Sequence, residues 1–240
     1  STVRIAALGS AGGPAPPISS QPFQSGAMVA DTPEGTYVLS VRDRELVAQS
    51  FDLGRGERLL VLGLNGAGKT SLLRILAGET VQDRGEINFG HQVHAGYFAQ
   101  EHDNVRSELS LLDNIRGEVP PHLVYTETQL RALLGMMGLS GDKVHQDSGT
   151  LSGGEKTKLA LAMMMVGRNN LLLLDEPTNN LDPPSREAVA DALGSWKGSI
   201  IFVSHDTEFV EQLAPTKVLL MPDGQVDYFS EDWLELVSLA

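Results

Sequence analysis

The sequence predicts an α/β domain in which a mostly parallel β-sheet carries helices on both faces. After Leu171, short apolar runs alternate with helical patterns, which is typical of parallel strands joined by crossover helices. The predicted strands are 171–174, 199–203 and 217–221, and the predicted helices are 184–193 and 207–213. A further buried strand, Arg58–Leu62, leads into a glycine-rich turn and a helix.

The N-terminal part of the chain divides near Tyr37. No charged residue occurs from Ile5 to Ala30, and Gly9–Gly26 is rich in glycine, proline and serine. Such a composition offers little apolar surface to bury and is typical of a linker. We therefore predict a flexible linker or N-terminal extension over 1–36 and one folded domain over 37–240. Alternation of apolar and polar residues predicts a strand around 45–51.

The middle of the chain is predicted to add two subdomains to this sheet. Lys69–Ala77 should be helical and should end at Gly78, a residue type that stops helices. Glu86–Phe89 and Val93–Phe98 are predicted to be short antiparallel strands of a β subdomain. From 101 to 150 the pattern turns helical, which predicts a helical subdomain inserted into the sheet domain.

Composition excludes several classes of protein. The 240 residues suit one large domain, or one domain with a small appendage, and none of them is cysteine. Neither a disulfide nor a thiolate zinc site can therefore form. The longest apolar runs are far shorter than the roughly 20 residues that cross a bilayer, so we expect a soluble, cytoplasmic domain. The net charge is −13 with no lysine or arginine cluster, so a firm hold on RNA would need a partner.

The segment Gly63–Thr70 (GLNGAGKT) matches the phosphate-binding P-loop pattern G-x-x-x-x-G-K-[ST]. Glycines let consecutive backbone N–H groups face a phosphate, and the start of the next helix adds partial positive charge. Lys69 is predicted to reach the terminal phosphates of ATP, and Thr70 is predicted to offer its hydroxyl to Mg²⁺. The candidate nucleotide-binding residues of this segment are Gly63, Asn65, Gly66, Gly68, Lys69, Thr70 and Ser71.

Two acidic residues, Asp175 and Glu176, follow the buried run Leu171–Leu174. In parallel sheets, ligands bind at the carboxyl ends of the strands, where the P-loop also begins. Asp175 is predicted to orient Mg²⁺, directly or through water. Glu176, one residue further, is predicted to polarise the attacking water.

The sequence LSGGE at 151–155 has the signature of a helix start. Ser152 and Glu155 have capping-box spacing and open a predicted helix through Val166 and Gly167. Thr126 and Gln129 have the same spacing in the inserted segment. The cap alone explains these residues. The following pair, Gly153 and Gly154, also exposes N–H groups at a helix N-terminus, which is an anion site. Because the P-loop is already one phosphate site, a second implies another nucleotide or another subunit.

With Gln100 and the SHD sequence at 204–206, these motifs stand in the order found in the nucleotide-binding domain of ABC ATPases. The chain resembles that family from about Val38 to its C-terminus. The resemblance implies a P-loop NTPase fold of ABC type and a head-to-tail dimer. In that dimer each ATP lies between one domain's P-loop and the other domain's Ser152, Gly153 and Gly154.

The resemblance also implies residue roles. Gln100 would sense the metal and couple the nucleotide state to the helical subdomain, and Asp182 would bridge the two protomers. His205 would contact the γ-phosphate and hold the attacking geometry. The implied catalytic residues are Glu176, His205 and Lys69, and the implied metal-binding residues are Thr70, Gln100 and Asp175.

The stretch DEPTNNLD resembles the ABC-F subfamily, because Asn179 stands where transporter ATPases typically begin a serine-alanine pair. ABC-F proteins are soluble, carry two such domains and act on ribosomes, either in translation or in protection from antibiotics. The chain departs from their pattern at Asn180, where histidine is usual. It also lacks an aromatic residue near Val41 and Arg42 to stack on adenine, and Tyr37 is the nearest candidate.

The resemblance therefore implies a translation-associated or ribosome-protecting ATPase. Two alternatives stay open. One is the ATPase subunit of a membrane transporter whose permease is a separate chain. The other is a soluble ABC ATPase with a different mechanical role. In each case the expected partner is a second ABC domain, either in the same longer chain or in a homodimer.

Overall fold

The computed structural model describes residues 3–6, 37–42, 45–50, 52–82, 86–99, 104–179 and 181–238. For the first three ranges it describes the backbone. The strands are β1 (Val3–Ala6), β2 (Tyr37–Arg42), β3 (Glu45–Ser50), β4 (Asp52–Leu53), β5 (Arg58–Leu62), β6 (Glu86–Phe89), β7 (Ala95–Phe98), β8 (Leu171–Asp175), β9 (Ser199–Val203), β10 (Lys217–Leu220) and β11 (Gln225–Tyr228). The helices are α1 (Lys69–Leu76), α2 (Leu111–Glu118), α3 (Glu127–Met136), α4 (Gly153–Val166), α5 (Pro183–Ser195), α6 (Thr207–Leu213) and α7 (Trp233–Val237).

A six-stranded sheet in the order β11, β10, β5, β9, β8, β7 forms the centre of the molecule. The neighbours from β10 to β7 pair in parallel, and β11 is antiparallel to β10. This confirms the predicted α/β class with a mostly parallel sheet. The carboxyl ends of β5, β8 and β9 consequently lie at one edge, where three of the predicted motifs begin.

The sheet is buried on both faces, because alternate residues of each central strand enter different cores. Leu60, Leu172 and Phe202 pack on one face, and Leu59, Leu173 and Ile201 pack on the other. Helices α4, α5 and α6 cover the first face, and α1 covers the second. Strands buried on both faces read as continuous apolar runs, which is why β8 appears in the sequence as four consecutive leucines.

Two smaller antiparallel sheets complete the β structure, one with the order β4, β1, β6 and the other formed by β2 and β3. The prediction that Val93–Phe98 is antiparallel is wrong for β7. This strand pairs in parallel with β8, with Tyr97 beside Leu173. A four-residue strand carries no sequence signal for the direction of its partner, because the pairing is set by contacts distant in sequence.

The region 1–36, predicted to be a flexible linker or N-terminal extension, contains the strand β1, whose four residues pair antiparallel with β6. The pairing partners lie at least 80 positions away in the sequence, which local composition does not reveal. The predicted division of the chain near Tyr37 stays a prediction. The prediction for the other residues of 1–36 lies outside the described residues.

The described residues of the predicted helical segment 101–150 contain α2 and α3, with short 3-10 helices at Gly141–His145 and Ser148–Thr150, and α4 follows them. Both predicted capping boxes are present, since Thr126 and Ser152 exchange hydrogen bonds with Gln129 and Glu155 respectively. The buried side chains of α2 and α3 join the core on the α4 face of the sheet. None of the helices in the described ranges has the length and the apolar character that a membrane-spanning helix needs.

Candidate nucleotide-binding site

The P-loop joins the end of β5 to the start of α1. Three of its glycines have positive φ, at 156° for Gly63, 85° for Gly66 and 94° for Gly68. Gly63 is also needed for packing, because a Cβ atom there would lie 2.6 Å from the carbonyl oxygen of Met221. Gly68 is the N-cap of α1 and supplies no capping side chain. The first N–H groups of this helix are therefore available to an anion.

Lys69 folds back over the loop that precedes it. Its ammonium donates hydrogen bonds to the carbonyl oxygens of Gly63 and Leu64, and its side chain is buried. Burial lowers the pKa of Lys69, while the negative charges of Glu176 and Asp175 act in the opposite direction. A cation is thus held between the P-loop and two carboxylates, at the place where the sequence predicts the terminal phosphates of ATP.

Asp175 is the last residue of β8, and Glu176 is the first residue after it. Glu176 has φ 50°, which is strained for a residue with a side chain, and its N–H donates to Val203 O over 3.1 Å. This bond to the end of β9 fixes a sharp turn. The turn directs the two adjacent carboxylates into one cavity.

Glu176 and His205 are in close contact at this turn. The Nε2 atom of His205 lies 2.8 Å from Glu176 Oε1, and the His205 N–H donates to Glu176 Oε2 over 3.4 Å. The Nε2 contact is short, but it lacks hydrogen-bond geometry. In the described part of the chain, Glu176 Oε1 is a buried oxygen without a hydrogen-bond donor. Such an atom is costly unless a ligand or a water supplies a proton to it.

Burial raises the pKa of Glu176 to about 7, with contributions from the nearby charges of Asp175 and Asp206. The His205 backbone and Lys69 lower it only in part. Burial also lowers the pKa of His205, together with the positive charge of Lys69. A carboxylate with a pKa near neutrality accepts a proton far more readily than an ordinary surface glutamate.

These groups share one cavity of about 650 Å³. Six of its lining residues are predicted site residues: Asn65, Lys69, Thr70, Asp175, Glu176 and His205. The cavity thus brings together the P-loop segment, the end of β8 and the end of β9. Asn65 and His205, which both line it, are more than 130 positions apart in the sequence. The volume lies within the usual range for small-molecule sites.

The donor set of the cavity fits Mg²⁺. Among the described residues no group of three or more His, Cys, Asp or Glu side chains is arranged to hold a metal ion. Mg²⁺ in nucleotide sites needs no such group, because one or two protein oxygens are completed by phosphates and water. The hydroxyl of Thr70 and the carboxylate of Asp175 both line the cavity and provide these oxygens.

Other predicted site residues lie elsewhere. Ser152, Gly153 and Gly154 are at the start of α4, and Asp182 is the N-cap of α5. These four residues do not line the cavity, nor does Ser71 on α1. Gln100 and Asn180 lie outside the described residues, as do the side chains of Tyr37, Val41 and Arg42. The roles of all these residues stay predictions.

The cavity also contains residues that sequence reasoning missed, including Arg74, Tyr97, Thr178 and Arg186. The hydroxyl of Tyr97 donates to Asp175 Oδ2 over 3.5 Å and accepts a hydrogen bond from Arg74. Tyr97 was not predicted as a site residue, because β7 was predicted to be antiparallel. As a parallel neighbour of β8, β7 ends beside the end of β8, and the side chain of Tyr97 then approaches Asp175. The sequence does contain a signal for Arg74. It follows Thr70 by four residues on a helix, so the two side chains lie on the same face.

Comparison with known proteins agrees with this geometry. A family model described as ABC transporter matches residues 46–179, which is more than half of the chain. The chain is 38% identical over 223 residues to YdiF of Bacillus subtilis, named as an ATP-binding protein, covering 90% of this chain and 34% of that protein. It is 38% identical over 187 residues to a probable ATP-binding cassette sub-family F member 3 homolog of Encephalitozoon cuniculi, covering 78% of this chain and 32% of that protein.

The chain thus spans about one third of the length of these relatives. One similar solved structure is a dimeric ATP-binding cassette in a post-hydrolysis state with ADP and Pi. It has a TM-score of 0.61 at 19% identity, with 82% of this chain and 98% of that chain covered, and shows the same fold. The family match, the relatives and the fold all agree. The chain therefore belongs to the ABC transporter family and is an ABC ATPase domain.

Proposed function

We propose that this domain binds MgATP in the cavity at the end of β5 and hydrolyses it when a second ABC domain closes over the triphosphate. The observation that carries the proposal is the convergence of Lys69, Glu176 and His205 on one cavity beside the P-loop. Catalysis of phosphoryl transfer depends chiefly on positioning and on stabilising charge, and this cavity is suited to both.

Five of the lining residues have distinct tasks in this proposal. Lys69 and the N–H groups of the P-loop bind the phosphates, and Thr70 and Asp175 hold Mg²⁺. When bound, Mg²⁺ neutralises charge that develops on the phosphate oxygens. Glu176 Oε1 orients the attacking water and takes its proton. His205, which touches the same oxygen, keeps the Glu176 carboxylate in place and contacts the γ-phosphate.

A second ABC domain is needed to complete the site. Ser152, Gly153 and Gly154 begin a helix that does not line the cavity, so we assign them to the ATP of the opposite domain. The dimeric state of the structurally similar cassette supports this assignment. Relatives about three times as long leave room for both domains in one polypeptide.

At the level of the whole protein, we propose a two-domain ABC-F protein that acts on the ribosome in translation or in protection from antibiotics. Similarity to a sub-family F homolog and the asparagine at 179 support this function. The net charge of −13 argues that this domain is not itself the main RNA-binding surface. Nucleotide-driven closure would instead control how other parts of the protein engage the ribosome.

The proposal is tested with Glu176→Gln in the full-length protein. Loss of the proton acceptor should slow ATP hydrolysis about 100-fold while ATP binding persists, and the closed state should accumulate. We expect the variant to co-sediment with ribosomes in ATP and to be released in ADP. Lys69→Ala, which should not bind ATP tightly, is the matched control. Unchanged turnover would contradict the assignment of Glu176, and ATP-independent sedimentation would contradict the ribosomal function.

A further inference from the structure

The 3-10 helix at Gly141–His145 provides a lysine to the start of α4. The ammonium of Lys143 donates a hydrogen bond to Glu155 Oε1 in a half-buried ion pair. The other oxygen of the same carboxylate, Glu155 Oε2, accepts hydrogen bonds from Ser152 N over 2.9 Å and from Ser152 Oγ over 3.0 Å. Glu155 thus links Lys143 to Ser152.

A carboxylate at this position creates an electrostatic conflict. Hydrogen bonds from Lys143 and Ser152 keep the pKa of Glu155 low, at about 2, so the carboxylate is ionised at neutral pH. Under the proposed function, the triphosphate of the opposite domain approaches Ser152, Gly153 and Gly154. Its negative charge would meet the negative charge of Glu155, and two such charges repel strongly over short distances.

The hydroxyl of Ser152 presents a second conflict. A serine hydroxyl has one proton, and in this structure it is donated to Glu155 Oε2. Phosphate oxygens of ATP only accept hydrogen bonds at neutral pH, so Ser152 must turn this proton away from Glu155 to bind them. The carboxylate then retains its bonds from Ser152 N and from Lys143.

We propose that Lys143 is a positioning residue of this phosphate half-site. By neutralising Glu155 and holding its Oε1 atom, Lys143 allows the Ser152 hydroxyl to rotate toward the phosphate of the opposite domain. The inference rests on the proposed trans role of Ser152 and extends it to a residue of the helical subdomain. Lys143 does not itself touch the nucleotide, and it acts through Glu155.

The test is steady-state ATPase kinetics of the full-length protein carrying Lys143→Met. We expect the KM for ATP to rise about tenfold with a much smaller change in kcat, because approach of the triphosphate is impaired. Adding Glu155→Gln should restore the KM, since glutamine keeps the capping bond without the charge. Lys156→Met removes a neighbouring charge from α4 but keeps the ion pair between Lys143 and Glu155, so it should leave the KM unchanged.

The double variant separates this role from a structural one. A KM that stays high in Lys143→Met/Glu155→Gln, or that rises equally in Lys156→Met, would overturn the inference. Ser152→Ala in the same assay reports on the proposed function itself. If Ser152→Ala lowers turnover and Lys143→Met has no effect, the inference fails and the proposed function survives. If neither variant has an effect, both fail.

Discussion

At the scale of the residue, Glu176 shows how a site side chain is held at a cost to stability. Its backbone lies in the left-handed region, and its buried Oε1 atom lacks a hydrogen-bond donor in the described part of the chain. Desolvation is the largest cause of its raised pKa. The surrounding fold tolerates this strain because the bond from Glu176 N to Val203 O and the packing of β8 are retained.

The raised pKa gives a pH-dependent prediction. The folded protein binds a proton at Glu176 more tightly than the unfolded chain does, so this residue increasingly lowers the stability of the wild type as pH rises from 4.5 to about 7. Glu176→Gln should therefore raise the free energy of unfolding by about 1–3 kcal/mol at pH 8 and by much less at pH 4.5. Urea unfolding at both pH values checks this. An equal gain at both pH values would contradict the raised pKa.

At the scale of the element, one arginine joins a strand to the ends of two helices. Arg58 begins β5, and its guanidinium donates to Leu213 O at the end of α6 and, over 2.6 Å, to Gly194 O near the end of α5. The last carbonyl groups of a helix lack partners within the helix, and a cation there also interacts favourably with the helix dipole. Arg58 thereby fixes the two helices to the sheet that carries the site.

We expect Arg58→Met to lower the free energy of unfolding by about 2–4 kcal/mol, because the helix-end carbonyls lose a charged donor while remaining partly buried. Guanidinium unfolding measures the effect. Arg168→Met removes an exposed arginine and should change the stability by less than about 0.5 kcal/mol. Equal effects of the two substitutions would show that Arg58 does not connect these elements.

The elements also differ in how well the sequence predicted them. Capping boxes, apolar runs and Gly78 are local signals, and the helices and strands that they predicted are present with small changes at the ends. The antiparallel direction predicted for β7 is wrong, because its partner β8 is distant in sequence. That error extended to the site, since Tyr97 approaches Asp175 only when β7 is the parallel neighbour of β8.

At the scale of the whole molecule, the cavity is lined by the P-loop segment, by the ends of β8 and β9 and by α5. The helix α1, which follows the P-loop, and α5 pack on opposite faces of the sheet. A ligand that bridges these parts binds only the folded chain, so its binding energy adds to stability. Lys69 is central to this coupling, because its charge lies between the P-loop and the carboxylates of Asp175 and Glu176.

MgATP should therefore stabilise the domain. At 100 times its Kd, the gain in the free energy of unfolding should be about 2.7 kcal/mol, and the Tm should rise accordingly. Lys69→Ala should abolish the gain without a large change in the Tm of the nucleotide-free protein. Differential scanning calorimetry with and without MgATP provides the comparison. A wild-type gain that Lys69→Ala retains in full would place the nucleotide elsewhere.

The sequence by itself determined the α/β class, the order of most elements and the motifs that identify the family, because helix caps, apolar periodicity and the P-loop pattern act over a few residues. Tertiary structure alone decided which strands are neighbours, that Tyr97 donates a hydrogen bond to Asp175, and that Lys143 reaches Glu155. These contacts depend on how distant segments pack, and the pKa of Glu176 depends on burial that no local pattern encodes.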